Sequence, residues 1–158
     1  MRTFVGVMAV IAAASCSRPD SSSETAASGQ SAMFGPSDGK LVIVCDLPEL
    51  PITIKVDSAS TGLSHFAMGT AELTGANTGV HDDFDELIFV YGGGGMVFVE
   101  GDTLPAEVGT TMYVRRGDRH GFTSDADAPL RFAWVIVPQA LPRTFLEEGV
   151  SSLAECGE

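Results

Sequence analysis

The fold and the chemistry of this chain are decided by the stretch Gly75-Ala-Asn-Thr-Gly-Val-His81-Asp-Asp83-Phe-Asp-Glu86, which leads into the apolar run Leu87-Ile-Phe-Val-Tyr91. A second stretch, Gly109 to Phe122, contains His120. Two imidazole nitrogens and one carboxylate oxygen form a ligand set that Fe(II), Mn, Zn and Ni sites use. We therefore expect His81, Glu86 and His120 to bind a divalent metal ion if the fold brings them together.

Short apolar runs, separated by Gly, Pro, Asp and Asn, lie on both sides of these stretches. The segment 52–56 alternates apolar and polar residues, which is the period of a half-buried strand. We predict strands at 41–46, 52–56, 66–73, 86–91, 96–100, 103–108, 111–115, 120–123 and 130–137. Many short strands at such spacing are typical of a sandwich or barrel, so the predicted fold class is all-β.

Two further segments complete this assignment. The four glycines Gly92–Gly95 lie between two predicted strands, whereas a phosphate loop leads into a helix. We therefore expect a hairpin turn that uses the positive φ available to glycine. At the other end, Pro142 suits a first helical turn and Arg143–Leu153 carries an apolar stripe, which predicts a short C-terminal helix.

Residues 1–15 have the features of a signal peptide. Arg2 supplies a positive region, and Phe4–Ala14 is an apolar run too short to span a bilayer. The run ends at Ala13-Ala-Ser-Cys16, which resembles a bacterial lipoprotein signal, cleaved before a cysteine that is then lipidated. An ordinary secretory signal is the alternative. Residues 16–40, rich in Ser, Gly, Ala and acidic residues, are then a flexible tether, and residues 41–158 form one domain.

These features predict a protein of the bacterial cell envelope, lipid-anchored on the periplasmic side. By resemblance to enterobacterial lipoproteins, Ser17 after the cysteine favours the outer membrane. The formal net charge is -12, with 9 Lys and Arg among 158 residues. Because phosphate contacts need cations, the composition argues against nucleic-acid binding and against electrostatic binding to anionic lipid. The lipid anchor is thus the one membrane contact that we expect.

Two cysteines remain beyond Cys16, and an exported protein occupies a compartment where disulfides form. A bond between Cys45 and Cys156 would tie the first strand to the C-terminal tail. Two unpaired thiols fit the sequence equally well, because spacing alone gives no geometry.

The motif pattern resembles the cupin superfamily. The first cupin motif is usually Gly, five residues, His, one residue, His, three or four residues, Glu, six residues, Gly, and Gly75, His81 and Glu86 fit it in part. The second is usually Gly, five residues, Pro, one residue, Gly, two residues, His, three residues, Asn. Its glycines and histidine match Gly109, Gly117 and His120, whereas Arg115 and Ser124 replace the Pro and the Asn.

This resemblance implies a cupin-type jelly-roll β-barrel with the His and Glu side chains pointing inward, where metal-binding members hold one divalent ion. The chain lacks the His-x-His of the first motif. If His81 is the first histidine of the motif, Asp83 replaces the second and is a candidate fourth ligand, because strand alternation would put it on the same face. If His81 is the second histidine, Gly79 stands where the first should be.

Arg115 is the candidate substrate-binding residue. Period-two alternation places one of Arg115 and Arg116 inward, where a guanidinium could hold a carboxylate. Two outward arginines on a turn are the alternative.

The runs 87–91 and 132–137 are apolar on both faces. Either an outer face packs against a second copy in a homodimer, or the C-terminal helix and the strand that begins at Leu41 cover it. Two functions follow from the whole sequence. The chain is a metal-dependent enzyme acting on a small molecule, such as a dioxygenase, isomerase or decarboxylase, or it is a metal-free cupin serving as a ligand-binding or interaction module.

Overall fold

The computed structural model describes residues 33–62, 64–141 and 149–157. The predicted signal peptide, the lipidation site Cys16 and most of the tether lie outside these residues, as does the segment 142–148 of the predicted helix. Within the described part of the chain, none of the helices has the length and apolar character needed to cross a membrane.

The described residues form two antiparallel sheets, which confirms the predicted all-β class. The six-stranded sheet has the order β1-β2-β3-β10-β5-β8, and its strands are β1 (Lys40–Val42), β2 (Ile52–Val56), β3 (Ala67–Leu73), β10 (Leu130–Val137), β5 (Asp85–Gly92) and β8 (Thr111–Val114). The four-stranded sheet has the order β4-β9-β6-β7, and its strands are β4 (Ala76–Gly79), β9 (His120–Ser124), β6 (Gly95–Val99) and β7 (Asp102–Pro105). A four-residue helix, α1 (Ser58–Thr61), connects β2 to β3.

The core lies between the two sheets because inward and outward residues alternate along the strands. In β10, Phe132, Trp134 and Ile136 are buried, whereas Arg131 and Val137 are exposed. Phe132 stacks on Phe122 of the opposite sheet with ring centroids 4.7 Å apart. This pairing of sheets is the jelly-roll arrangement that the sequence predicts.

The four-glycine turn does not close a hairpin. Strand β5 pairs with β10 and β8, whereas β6 pairs with β9 and β7, so the glycines carry the chain from one sheet to the other. A Cβ at Gly93 would lie 1.8 Å from the Pro129 carbonyl oxygen, and one at Gly95 would lie 1.8 Å from that of Thr123. The turn is therefore glycine-rich because the backbone of another segment passes directly against it.

Strand β4 is absent from the sequence prediction. Its residues, Ala-Asn-Thr-Gly, have no apolar period, and the strand forms because β9 supplies its hydrogen-bonding partner. Its register places Gly79 opposite His120, so β4 helps to set the position of that histidine.

The C-terminal residues differ from the prediction where they are described. Val150 forms an antiparallel bridge with Ile43, so residues 149–152 are not helical. A short 3-10 helix follows at Leu153–Gly157. Cys45 and Cys156 are joined in a disulfide with Cα atoms 5.3 Å apart, which selects the first of the two states that the sequence allows.

The outer face of the six-stranded sheet is apolar where β5 and β8 run side by side. Leu87, Phe89, Tyr91 and Tyr113 are 43–60% exposed there. Strand β1 is the edge strand at the far side of this same sheet, so the expectation that the strand beginning at Leu41 covers the face is wrong.

Candidate metal centre and ligand cavity

The fold brings His81, Glu86 and His120 together at one end of the interior. The Nε2 atoms of His81 and His120 lie 3.6 Å and 3.4 Å from the same carboxylate oxygen, Glu86 Oε2. One ligand atom from each residue lies within 4.8 Å of the other two. The nearby residues His81 and Glu86 and the distant residue His120 thus converge on a single point.

His120 begins β9 and is the buried polar residue of the described core, with 3% of its surface exposed. Its backbone pairs with Gly79 on one side and Val99 on the other. The ring Nδ1 lies 3.4 Å from the Asp118 carbonyl oxygen. An Nδ1–H donating to that carbonyl leaves the Nε2 lone pair directed at Glu86, which is the tautomer that a metal requires.

His81 lies in the loop between β4 and β5. Its carbonyl oxygen accepts a hydrogen bond of 2.7 Å from the Gly117 N–H, which ties the loop to the turn before β9. The ring stacks on Phe84 with centroids 4.4 Å apart and lies 4.8 Å from the ring of His120. Stacking holds the imidazole over the carboxylate and leaves its other edge partly exposed.

Glu86 points inward from β5, between Val114 and Ile136 of the neighbouring strands. Burial raises the pKa of Glu86, but interaction with the His120 and His81 rings outweighs it, and the pKa lies below its ordinary value. At 3.4–3.6 Å these contacts are longer than a normal hydrogen bond, and Oε2 has no hydrogen-bond partner within the described structure. The buried carboxylate is therefore ionised and has one oxygen without a donor.

This arrangement fits a divalent metal ion. Nitrogen and oxygen ligands bound at about 2.1 Å lie roughly 3 Å from each other, and the two imidazole Nε2 atoms lie 3.6 Å and 3.4 Å from Glu86 Oε2. The unpartnered Oε2 is the second feature that a cation would satisfy, because an unpaired buried charge is costly. His81, Glu86 and His120 would hold such an ion by three ligands, which would leave it able to bind a small molecule as well.

Asp83 lies outside this group. Residues 80–84 form a loop rather than a strand, so period-two alternation does not apply to them. Phe84 takes the inward position, and the Asp83 side chain is exposed.

Arg115 and Arg116 both point away from the interior. Arg115 Nε lies 3.0 Å from Asp118 Oδ2, and Arg116 Nε lies 3.1 Å from Asp85 Oδ1. Both guanidinium groups are exposed, and neither residue lines the cavity described below. Strand β8 ends at Val114, so the alternation used to place Arg115 inward does not extend to it.

A cavity of about 290 Å³ opens from the three candidate ligands into the space between the sheets. Its walls are mostly aliphatic and aromatic, with the loop residues Leu47, Leu50 and Leu141 among them. The aromatic wall was missed by motif reasoning, which looks for ligands. The sequence nevertheless contained an indication of this wall, because Phe122, Phe132 and Trp134 are apolar residues on predicted strands.

Residues 67–136 match the family model described as Cupin domain. That range contains all three candidate ligands and eight of the strands, β3 to β10, apart from the last residue of β10. A search of curated protein sequences found no match to the chain.

Several solved structures share the fold of this domain. The polyketide cyclase RemF from Streptomyces resistomycificus superposes with a TM-score of 0.60 at 21% identity, over 72% of this chain and 83% of that one. A predicted oxalate decarboxylase from Thermotoga maritima gives 0.58 at 15% identity, over 68% and 99%. An RmlC-like cupin from Shewanella frigidimarina gives 0.56 at 14% identity, over 72% and 96%. At such identities the likeness concerns the fold.

Proposed function

We propose that this chain binds a divalent transition metal ion through His81, Glu86 and His120 and uses it to bind or transform a small molecule in the adjoining cavity. The observation that carries the proposal is the convergence of two imidazole Nε2 atoms on a buried, unpartnered carboxylate oxygen. When bound, the ion would act as a Lewis acid toward an oxygen of the ligand.

The chain's own residues would have three tasks in that function. His120 and Glu86 project from strands of opposite sheets, so the rigid fold holds their ligand atoms in place. The stacked Phe84 orients His81. The apolar walls exclude water from the ion, which strengthens electrostatic interactions there.

Elemental analysis of the native protein tests the metal. We expect close to one equivalent of Fe, Mn, Zn or Ni per chain, or uptake of one equivalent after chelation. His120→Ala should abolish this, whereas His65→Ala should not, because His65 is exposed and outside the group. Wild-type protein that neither carries nor takes up a metal would refute the proposal.

The second candidate function is a metal-free ligand-binding module. The observation that favours it is that the two imidazoles outweigh the effect of burial on the pKa of Glu86 without an ion. In that case a bound ligand would be unchanged after prolonged incubation, and metal addition would leave its affinity unaltered. Metal-dependent turnover of any ligand would exclude this alternative.

We also propose that the protein is anchored in the cell envelope by lipid on Cys16. The apolar run ending in Ala13-Ala-Ser-Cys16 supports this proposal, and a domain disulfide is in keeping with an oxidising compartment. Metabolic labelling with palmitate should mark the wild type and not Cys16→Ser. An unlabelled wild type found in the soluble periplasmic fraction would indicate an ordinary secretory signal instead.

Two copies are proposed to pair through the exposed apolar face of β5 and β8. An exposed apolar patch of this kind is typical of protein interfaces. Sedimentation should give a dimer that Phe89→Asp dissociates. Leu104→Asp, which changes a more exposed apolar residue on the other sheet, should leave the dimer intact. A monomeric wild type would contradict this proposal.

A further inference from the structure

We infer that the cavity takes a small amphipathic ligand with a single polar end and an apolar body, and that the polar end reaches the candidate metal ligands through the space beside Gly79. The inference rests on the proposed function for the place where the ligand binds. It adds the class of ligand and the side on which its polar end lies, which the candidate metal ligands alone do not determine.

The polar residues of the lining lie close together. Besides the three candidate metal ligands they are Asn77 and Thr78, which directly precede Gly79 in β4. Gly79 in turn lies opposite His120 in the register of β4 and β9. The polar part of the lining thus forms one region beside His120 and is not spread around the cavity, so it suits a ligand with one polar end.

The remaining walls are apolar. Apart from the polar residues and Gly79, every residue of the lining is aliphatic or aromatic, and several come from the six-stranded sheet, such as Ile52, Ala71 and Ile136. A polar ligand group placed against such walls would lose its hydrogen bonds to water without gaining others, which is costly. The body of the ligand is therefore apolar.

The charges of the lining disfavour ligands with several anionic groups. The described residues around the cavity include no lysine or arginine, and their one carboxylate is Glu86. Arg115 and Arg116, the nearest candidates in sequence, pair with Asp118 and Asp85 away from the cavity. A bound metal ion could therefore compensate one anionic group of a ligand, but the protein offers no cation for a second.

Gly79 leaves open space beside the candidate ligands. Directly paired residues of antiparallel strands point to the same face, so position 79 faces inward with the buried His120. Apart from its chain neighbours, a Cβ at this position would have one atom of the described structure within 4 Å, His81 Cε1 at 3.9 Å, which is an ordinary van der Waals contact. Gly79 is also not among the glycines with positive φ. Since neither backbone conformation nor close packing requires glycine here, its effect is to leave room next to both imidazoles.

The volume limits the body of the ligand. An engineered apolar cavity of roughly 150 Å³ binds benzene. At about 290 Å³ this cavity has room for a ligand up to about twice that size. Short linear alcohols fit within this limit, and a series of them varies the apolar body while the polar end stays the same.

The first probes are ethanol, 1-butanol and 1-hexanol, with glucose as a comparator that is polar throughout. A hydroxyl group can donate a hydrogen bond to the unpartnered Oε2 of Glu86, so these probes test the metal-free protein. Titrations followed by the backbone amide resonances should show an affinity that rises about fourfold for each added methylene, because its surface is buried. Glucose should bind at least about tenfold more weakly than 1-hexanol.

The second pair of probes is hexanoate and adipate, titrated into protein loaded with Zn²⁺. The two have the same number of carbons, and adipate adds a second carboxylate at the far end of the chain. We expect adipate to bind at least about tenfold more weakly, because that carboxylate would lie against apolar walls without a cation.

Variants of β4 test the space beside Gly79. Gly79→Leu fills it and should lower the affinity for 1-hexanol by at least about tenfold. Ala76→Leu, which adds the same side chain on the exposed outer face of the strand, should change that affinity by less than about twofold. Thermal unfolding monitors whether each variant folds. Gly79→Ala, which adds one carbon where there is room for it, should show a smaller loss and decides the matter if Gly79→Leu does not fold.

The outcomes separate this inference from the metal proposal. Alcohol binding that strengthens with chain length in protein that never takes up metal would refute the metal site and support the ligand class. Metal uptake combined with affinities that do not rise from ethanol to 1-hexanol, or with equal binding of hexanoate and adipate, would overturn the ligand class alone. Unchanged 1-hexanol affinity in a folded Gly79→Leu, or an equal loss in Ala76→Leu, would overturn the role of Gly79.

Discussion

Asp85 and Glu86 are consecutive carboxylates on β5, and they lie in opposite environments. Asp85 faces out and receives hydrogen bonds of 2.9 Å from the Arg116 backbone N–H and 3.1 Å from its Nε. Glu86 faces in, where two imidazoles are its nearest charged or polar neighbours. In both residues the pKa is lowered, for Asp85 because of the hydrogen bonds from Arg116 and for Glu86 in spite of burial.

The difference between the two teaches how to recognise a functional carboxylate. Asp85 has an always-charged partner with matching geometry, so its interactions are complete. Glu86 is ionised, buried and incompletely satisfied, which is an arrangement that a protein retains when a ligand completes it.

The largest effect is expected on metal affinity. Glu86→Gln removes the anionic ligand, so affinity for Zn²⁺ should fall by more than the roughly 10–100-fold that changes around a metal site typically cost. Asp85→Asn is the matched control one residue away and should change affinity by less than about twofold. Competition titration with a chelating dye measures both. Equal losses in the two variants would mean that Glu86 has no special role.

The second effect is on stabilisation by metal. Adding Zn²⁺ at about 100 times its dissociation constant should raise the unfolding free energy of the wild type by about 2.7 kcal/mol, because the ion binds the folded state. Asp85→Asn should show the same rise and Glu86→Gln almost none. Urea unfolding followed by far-UV circular dichroism provides the measurement. A rise that persists in Glu86→Gln would place the ion elsewhere on the molecule.

The third effect is on the acid dependence of stability in metal-free protein. Both carboxyl groups have folded pKa values below their ordinary values, so the unfolded chain binds more protons at acid pH. Their contributions are therefore complete above the unfolded pKa values and are lost as the pH falls through the folded ones. We therefore expect Asp85→Asn and Glu86→Gln each to lose less unfolding free energy than the wild type as the pH falls from about 5 to about 3.

High salt should then distinguish the contribution of Asp85 to stability from that of Glu86. In about 1 M NaCl the screening length is near 3 Å, which weakens exposed pairs far more than buried ones. The difference in unfolding free energy between the wild type and Asp85→Asn should become smaller at high salt. The corresponding difference between the wild type and Glu86→Gln should remain. An identical salt response would show that water reaches both carboxylates equally.

The smallest effect is expected for Arg116→Ala. Its exposed guanidinium pairs with Asp85 and does not line the cavity, so metal uptake should be unchanged. The thermal midpoint should move no more than for other surface substitutions. A loss of metal affinity in this variant would show that the outer pair supports the inner one through β5.

Much of the architecture could be predicted because it depends on local patterns. The strands β2 and β10 have the predicted bounds, since apolar alternation and flanking turn residues define them. The prediction for Asp83 rested on extending that alternation into residues that form a loop. Strand β4 was missed because its partner, not its own composition, makes it a strand.

The candidate site, like the fold, could be predicted from the sequence only in part. Motif spacing identified His81, Glu86 and His120, because side chains that must meet at one point constrain the sequence around them. Spacing contained no information on the unpartnered Oε2 of Glu86, because that property depends on which groups lie nearby in three dimensions. The outward pairing of Arg116 likewise depends on Asp85, which belongs to another strand, whereas Arg115 pairs with Asp118 in its own turn.

The disulfide has a consequence for the order in which the domain folds and is cross-linked. Cys45 and Cys156 are 111 residues apart, so almost the whole domain must have emerged before this bond can close. The disulfide also anchors the segment just before Leu47 and Leu50, two residues that line the cavity. Reduction of the bond would release that segment, so we expect the reduced protein to hold a ligand in the cavity less tightly than the oxidised protein does.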